Sequence, residues 1–193
     1  KIALFICEDL WVDYVSSSYS KHPLSQCSQI QLDLAIHISA SPFESDKLEQ
    51  RYKVLSEAAK QLNTSIVSVN QVGGYNEVLF DGQSMVMNSH GDCIFKGAAF
   101  KDSEYVINLN SDHKAVSIDK IGMQDIKQAI IFGLQEYCEF SGFKQLLVGV
   151  SGGIDSAVVA ALAVEACGAE HVTCISLPTQ YNSDQTKSDA KQL

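Results

Sequence analysis

Hydrophobic positions follow two patterns along the chain, and the pattern changes near residue 110. Before that point, short apolar runs bounded by turn-forming residues predict β-strands. The predicted strands span residues 1–7, 34–38, 65–69, 77–80, 84–87, 93–96 and 105–109. One stretch has helical spacing instead, from Leu48 to Leu62, and Ser45 is its expected N-cap. The first part of the chain is therefore predicted to be a sheet with one long helix.

Beyond residue 120, helices and strands alternate. The predicted elements are a helix from about 126 to near 142, a strand at 145–150, an Ala-rich helix from about 154 to 167, and a strand at 172–177. Continuous apolar strands joined by a helix are typical of a parallel α/β sheet. The polar, aperiodic stretch between the two patterns predicts a linker at 111–121. We therefore expect one domain at 1–110 and a second at 122–193.

Composition and charge exclude several classes of protein. The 193 residues are 46% hydrophobic with a formal net charge of −9, and that hydrophobic fraction excludes wholesale disorder. The acidic balance argues against a surface for duplex nucleic acid but allows a single nucleotide to bind in a loop. No apolar run approaches the ~20 residues that span a membrane. The six cysteines form no Cys-x-x-Cys pair, which favours reduced thiols in a cytoplasmic protein.

The two ends of the chain fall inside predicted elements. Residue 1 opens an apolar strand without an initiating Met, and the helix that Ser183 caps stops after about two turns. We therefore expect this chain to be a piece of a longer protein.

A glycine-rich loop, Ser151-Gly-Gly-Ile-Asp-Ser156, lies between a predicted strand and a predicted helix. Open parallel sheets bind ligands beyond the carboxyl ends of their strands, and glycines let backbone N–H groups approach phosphate oxygens. Ser151 and Ser156 add hydroxyl donors, and the helix start adds unpaired N–H groups. Asp155 would repel a phosphate unless it held Mg²⁺ against it. The alternative is a well-capped helix start with no ligand, since the loop lacks the Lys of the familiar nucleoside-triphosphate motif.

Cys7 follows directly on the first predicted strand. A cysteine on a sharp turn at the end of a strand can present its sulfur to a pocket, with the next backbone N–H as an oxyanion donor. The neighbouring Glu8 and Asp9 disfavour a thiolate, so an activating base and cation must lie elsewhere. His22 and His37 are candidates for a Cys–His pair, although their spacing favours neither. From the residues alone, Cys7 is equally a nucleophile or a buried core thiol.

Two resemblances add to this interpretation. The loop Gly149-Val-Ser-Gly-Gly-Ile-Asp-Ser156 resembles the pyrophosphate-binding loop of adenylating enzymes that cut ATP between its α- and β-phosphates. Four segments of the first part resemble the later half of a nitrilase-type glutaminase domain: 6–11, 38–43, 69–74 and 77–82. The two together are similar to the layout of the glutamine-dependent NAD synthetase family.

That resemblance implies a fold and a set of site residues. The implied fold is α/β: the C-terminal part of a nitrilase-like αββα sandwich, then the start of a doubly wound, parallel-sheet ATP-pyrophosphatase domain of the adenine nucleotide alpha hydrolase-like kind. Cys7 matches the glutaminase nucleophile, Ser41 and Lys47 match glutamine-contacting positions, and the Glu and Lys of the Glu–Lys–Cys triad would precede this chain. The implied ATP-binding residues are Gly149, Val150, Ser151, Gly152, Gly153, Ile154, Asp155 and Ser156, with Asp155 as the Mg²⁺ ligand.

The resemblance also implies an activity. It is the ATP-dependent amidation of deamido-NAD to NAD, a ligase reaction that takes ammonia from glutamine and releases AMP, pyrophosphate and glutamate. ATP, glutamine and deamido-NAD would be substrates, Mg²⁺ the cofactor, and the full-length enzyme a homo-oligomer that binds neither nucleic acid nor membrane. Two alternatives stay open: a nitrilase-type amidase with an accessory nucleotide-binding domain, and an inactive fragment or interaction module.

Overall fold

The computed structural model describes residues 1–11 and 22–193, which divide into two compact units, Lys1–Met123 and Gln124–Leu193. The strands of the first unit are β1 (Ile2–Ile6), β2 (Leu34–Ser39), β3 (Ile66–Asn70), β4 (Val72–Tyr75), β5 (Val78–Asp81), β6 (Met85–Met87) and β7 (Cys93–Lys96). Its helices are a 3-10 helix (Cys7–Leu10), α1 (Pro23–Cys27) and α2 (Lys47–Leu62).

Five strands of the first unit form one mixed sheet in the order β1-β2-β3-β6-β7. The first three are parallel, whereas β6 and β7 join antiparallel. Strands β4 and β5 form a separate antiparallel pair. Because β1 and β2 are parallel, with Ile6 opposite Ile38, their carboxyl ends meet at the same edge of the sheet. That edge places Cys7 beside the segment that follows β2.

Helix α2 covers one face of this sheet. Its buried apolar residues recur at helical spacing: Leu48, Leu55, Ala58, Ala59 and Leu62. They share a core with strand residues, among them Phe5, Ala35, Ile66, Met85 and Met87. Since successive side chains of a strand alternate between faces, each strand sends one set of side chains into this core and the other to the opposite face.

The second unit is a short parallel α/β arrangement. Its elements are α3 (Met123–Ser141), β8 (Leu146–Gly149), α4 (Ile154–Cys167), a 3-10 helix (Ala169–His171), β9 (Val172–Ile175) and α5 (Asp184–Gln192). Strands β8 and β9 pair in parallel, with Leu146 opposite Val172. Its core is small and built from Val148, Val150, Ala160, Ala163 and Ala190. The predicted alternation of helices and strands, and the parallel pairing, are confirmed.

Several sequence predictions for the first unit are wrong. Residues 105–109 form no strand, and Tyr105 instead packs its ring on Phe95, with ring centres 4.7 Å apart. Ser45 does not cap α2, because the N-cap is Asp46. Strand β4 and helix α1 were not predicted, since the first contains two glycines and the second is only five residues long.

Residues 111–121, the predicted linker, contact the first unit. The Val116 N–H donates to the Cys93 carbonyl at 2.7 Å, and Ile118 and Ile121 pack against the core that α2 covers. The segment therefore packs as part of the first unit. Within the described residues, no helix is long and apolar enough to cross a membrane.

Candidate functional site

Cys7 is the first residue of the 3-10 helix and lies on a sharp turn directly after β1. Its backbone φ is 49°, in the left-handed region that residues with a Cβ rarely adopt. A side chain of the turn holds the backbone one residue earlier, because the Ile6 N–H donates to Asp9 Oδ2 at 2.8 Å. The turn is therefore a defined local structure at the carboxyl end of β1, and its thiol is free.

A cavity of about 350 Å³ opens at this edge of the sheet. Its lining residues are Cys7, Glu8, Trp11, Ser39, Ala40, Ser41, Pro42 and Lys47. The three residues predicted for a glutaminase site thus line one cavity, although they come from three elements. Cys7 begins the 3-10 helix after β1, Ser41 follows β2, and Lys47 begins α2.

Lys47 supplies a positive charge to this cavity. It is half-buried at the first position of α2, and its Nζ lies 4.6 Å from the centre of the Trp11 ring. A lysine over an indole face is attracted by the ring's negative π-cloud. Because Trp11 is itself 8% exposed, the contact orients the ammonium group along the cavity wall.

Two buried hydroxyls of the cavity have no hydrogen-bond partner among the described residues. They belong to Ser39 and Ser41. The backbone of Ser41 is fixed, because its N–H donates to Asn70 Oδ1 at 2.8 Å. A buried hydroxyl without a partner costs free energy, so both groups are free to bond a polar ligand in the cavity.

A buried network of polar side chains holds Asn70, the residue that fixes the Ser41 backbone in the cavity wall. The Arg51 guanidinium donates to Asp81 through Nη2 and to the Gly82 carbonyl through Nη1, the latter at 3.1 Å. Gln83 Nε2 also donates to Asp81, at 2.7 Å. Asn70 Nδ2 donates to the Gly82 carbonyl at 3.0 Å. The side chain that fixes Ser41 is therefore itself fixed by this network.

His37 contacts the Cys7 backbone rather than its sulfur. The ring Nε2 lies 2.9 Å from the Cys7 carbonyl oxygen, and Nδ1 lies 2.9 Å from Ser68 Oγ. Burial lowers the pKa of His37 below its ordinary value of 6.5, and the Cys7 hydrogen bond and the negative charge of Asp9 only partly oppose this. The other candidate partner from the sequence, His22, is the N-cap residue of α1.

In the second unit, the glycine-rich loop joins β8 to α4, as predicted. Its serines bond within the loop: the Ser151 N–H donates to Ser156 Oγ at 3.1 Å, and the Gly153 N–H donates to Ser151 Oγ at 3.2 Å. Gly153 is the N-cap of α4, with no side-chain cap. The first N–H groups of α4 therefore face the loop at the positive end of the helix dipole.

Gly152 is required by the packing of this loop. Its φ is +85°, and a Cβ at this position would lie 2.1 Å from the Thr186 carbonyl oxygen. No heavy atom fits at that distance, so only glycine lets the loop approach α5 this closely.

A second cavity, of about 220 Å³, lies beside the loop. It is lined by Gly149, Val150, Ser151, Ile175, Ser176, Leu177, Pro178, Asn182 and Lys187. Three of the eight predicted ATP-binding residues, 149–151, therefore line it, whereas 152–156 do not. Sequence reasoning missed Lys187. The signal that could have located it is the N-cap Ser183, since Lys187 lies one helical turn beyond it and donates its N–H to the Ser183 carbonyl at 3.1 Å.

Asp155 lies exposed in the first turn of α4. In the described part of the chain it forms no salt bridge, and no three His, Cys, Asp or Glu side chains cluster to hold a metal. Mg²⁺ is commonly bound through one or two carboxylates together with substrate phosphates. A single free carboxylate beside a phosphate-type loop fits a metal that is shared with a phosphate ligand.

Residues 126–193 match the NAD synthase family. Over its whole length the chain is 35% identical to the glutamine-dependent NAD(+) synthetase of Synechocystis sp. and 33% identical to that of Acinetobacter baylyi. It spans 36% and 35% of the length of these two relatives, so it corresponds to about a third of each.

The solved structures agree with the sequence relatives. The glutamine-dependent NAD+ synthetase of Acinetobacter baumannii, in complex with ADP, matches 98% of this chain with a TM-score of 0.84 and 36% identity, and the chain covers 36% of that protein. The enzyme from Cytophaga hutchinsonii shares the fold, with a TM-score of 0.71 at 17% identity over 98% of this chain and 36% of that one. The chain is therefore related, over its whole length, to the glutamine-dependent NAD(+) synthetases.

Proposed function

We propose that this chain forms part of an enzyme that converts deamido-NAD to NAD, with ATP as the activating substrate and glutamine as the source of ammonia. The observation that carries the proposal is the cavity in which Cys7, Ser41 and Lys47 meet, in the same chain as a loop of the NAD synthase family. The expected products are NAD, AMP, pyrophosphate and glutamate.

In the first unit, the Cys7 sulfur attacks the side-chain amide carbon of glutamine, and the thiol proton passes to the departing nitrogen. Ammonia leaves, and water then hydrolyses the thioester to glutamate and restores the thiol. We assign Lys47 to the α-carboxylate of glutamine, because it is the cation on the cavity wall. The buried hydroxyl of Ser41 is assigned to the polar atoms of the substrate. The family resemblance assigns the Glu and Lys of the triad to residues outside this chain.

In the second unit, the loop from Gly149 to Ser156 is assigned to the phosphates of ATP, which the N–H groups at the start of α4 would bind. The hydroxyls of Ser151 and Ser156 would add donors by exchanging their bonds within the loop for bonds to phosphate. Asp155 would hold Mg²⁺, which would neutralise phosphate charge. The nicotinate carboxylate of deamido-NAD attacks the α-phosphate and releases pyrophosphate. Ammonia then displaces AMP from the acyl-adenylate and gives the amide of NAD.

The proposal extends to the architecture of the whole protein. Residues 1–110 are assigned to the C-terminal part of a nitrilase-like αββα sandwich, and 122–193 to the start of a doubly wound ATP-pyrophosphatase domain. The mixed sheet of the first unit and the parallel β8–β9 pair support these assignments. We also infer a cytoplasmic homo-oligomer that binds no nucleic acid and no membrane.

The test compares two nitrogen sources in the full-length protein that carries this chain. NAD formed from deamido-NAD and Mg·ATP is measured with glutamine and, separately, with ammonium. The Cys7→Ala variant should lose glutamine-driven synthesis and keep the ammonium-driven rate, whereas Asp155→Ala should lose both. The exposed thiol of Cys174 provides the matched control, since Cys174→Ala should change neither rate.

Two outcomes would contradict this proposal. If Cys7→Ala lost both activities, Cys7 would serve folding rather than ammonia release. If wild-type protein hydrolysed amides but formed no AMP or pyrophosphate with deamido-NAD, the protein would instead be a nitrilase-type amidase with an accessory nucleotide-binding domain.

A further inference from the structure

His37 lies on β2, opposite Phe5 of β1, and is 4% exposed. Its two ring nitrogens reach two different elements. Nε2 lies 2.9 Å from the carbonyl oxygen of Cys7, and Nδ1 lies 2.9 Å from the hydroxyl of Ser68 on β3. The imidazole therefore bridges the interior strand β3 and the turn that carries the thiol.

The chemistry of the partners fixes the tautomer. A carbonyl oxygen only accepts, so the Nε2 of His37 carries the proton and donates it to Cys7. Nδ1 then accepts from the Ser68 hydroxyl. Burial lowers the pKa of His37, which keeps the ring neutral and leaves one nitrogen as donor and the other as acceptor.

The turn at Cys7 needs such support. Its φ of 49° is unfavourable for a residue with a Cβ and persists only where surrounding contacts hold it. Asp9 holds the backbone one residue before Cys7, through the Ile6 N–H, and His37 holds the carbonyl of Cys7 itself. The left-handed residue is thus anchored on both sides.

We propose that His37 is a positioning residue that holds the Cys7 backbone in its left-handed conformation and so sets where the thiol meets a substrate in the cavity. The role in catalysis rests on the proposed glutaminase function, whereas the anchoring of the backbone does not. His37 contacts the Cys7 carbonyl and therefore takes no part in the proton transfer of the sulfur.

Two variants separate the hydrogen bonds of the ring. The amide nitrogen of Gln reaches the position of Nε2, whereas that of Asn reaches only the position of Nδ1. His37→Gln therefore keeps a donor to Cys7, and His37→Asn keeps only a group near Ser68. In crystal structures of the full-length protein that carries this chain, we expect Cys7 to keep its positive φ in His37→Gln and to leave the left-handed region in His37→Asn. Retention of the positive φ in His37→Asn would overturn the proposal.

A chemical readout tests the consequence for the thiol. In the full-length protein, labelling of Cys7 is measured by peptide mapping with a chloroketone analogue of glutamine and with iodoacetamide. The ratio of the two labelling rates reports substrate-like positioning of the thiol. We expect His37→Asn to lower this ratio about tenfold, since small misplacements of a nucleophile are costly. His37→Gln should restore it to within about twofold of wild type. Exposed His90 provides the matched control, and His90→Asn should leave the ratio unchanged.

Unfolding is detected in the same experiment. Cys93 is 1% exposed in the core under α2, so its labelling by iodoacetamide reports loss of the fold.

If His37→Asn unfolds, ¹⁵N NMR of the wild-type His37 ring tests the proposal instead. A ring protonated on Nδ1 rather than Nε2 at pH 7 would overturn the proposal. If the full-length wild-type protein showed no preference for the glutamine analogue, this would contradict the proposed function alone, and the Cys7 φ values would then decide on His37.

Discussion

Asp81 is a fully buried carboxylate whose charge is balanced by the guanidinium of Arg51. Removing one partner of a buried ion pair leaves the other charged and unsolvated, which costs about 3–5 kcal/mol. We therefore expect Arg51→Met to lower the free energy of unfolding by roughly that amount in urea denaturation. Lys53 is exposed on the same helix, and Lys53→Met should change stability by less than ~0.5 kcal/mol. A loss below ~1 kcal/mol for Arg51→Met would show that water satisfies Asp81.

His37 makes stability depend on pH. Because burial lowers the pKa of His37 in the folded chain, the unfolded chain binds the proton more readily below pH 6.5. The neutral ring therefore contributes stability that is fully present above pH 6.5 and is lost as the pH falls from 6.5 toward the lowered folded pKa. We expect the free energy of unfolding to fall over this window by up to ~1.4 kcal/mol per pH unit from this group. In His37→Gln this contribution should disappear, and an unchanged slope between pH 5 and 7 would contradict the assignment.

At the scale of elements, the loop between β8 and α4 and the helix α5 form one packed structure. Gly152 meets the Thr186 carbonyl so closely that an added Cβ would lie 2.1 Å from it, at a backbone φ of +85°. We expect Gly152→Ala to lower the free energy of unfolding by at least ~2 kcal/mol, from overpacking and backbone strain together. A Cβ added at Gly149 would meet no heavy atom within 4 Å, and the φ of Gly149 is not positive, so Gly149→Ala should be nearly neutral. If Gly152→Ala and Gly149→Ala lowered the melting temperature equally, this would refute the close packing of Gly152 against Thr186.

Sequence periodicity predicts those helices and strands whose apolar residues follow one regular pattern. Helix α4 and strands β8 and β9 are apolar on most sides, so their pattern alone indicates a buried parallel unit. Strand β4 escapes prediction because Val72–Tyr75 contains two glycines, and its pairing with β5 decides its structure. Residues 105–109 have the apolar pattern of a strand but pair with no other strand of the described residues, so the prediction from the pattern is wrong there.

The residues of the first cavity can be predicted from the sequence where the order and pairing of the strands bring them together. Parallel pairing of β1 and β2 brings Cys7 and Ser41 to one edge, and a helix beginning shortly after β2 brings Lys47 to the same place. The hydrogen bond from His37 to Cys7 was beyond prediction, because it depends on a ring orientation fixed by a third strand. Lys187 was missed for a similar reason, since its place beside the second cavity depends on how α5 packs.

At the scale of the whole molecule, one face of the first sheet carries exposed apolar side chains. Parallel register aligns the apolar side chains that point away from α2: Ile2, Leu4 and Ile6 of β1 lie opposite Leu34, Ile36 and Ile38 of β2. Ile38 in turn lies opposite Val69 of β3. Five of these side chains are at least half exposed: Ile2, Leu4, Ile6, Ile38 and Val69. A contiguous apolar face of this kind marks a surface that another layer covers, as the proposed αββα sandwich requires.

The exposed sheet face predicts how the 193-residue chain behaves in solution. A contiguous apolar surface binds the dye ANS and favours self-association, and threonine keeps strand propensity while reducing apolar area. We expect the double variant Leu4→Thr, Val69→Thr to lower ANS fluorescence at least about twofold and to reduce self-association in analytical ultracentrifugation. Val106 is fully exposed outside this face, so Val106→Thr should change neither signal. If the double variant bound ANS as strongly as wild type, the dye site would lie elsewhere and the face would already be covered, for example by a second copy of the chain.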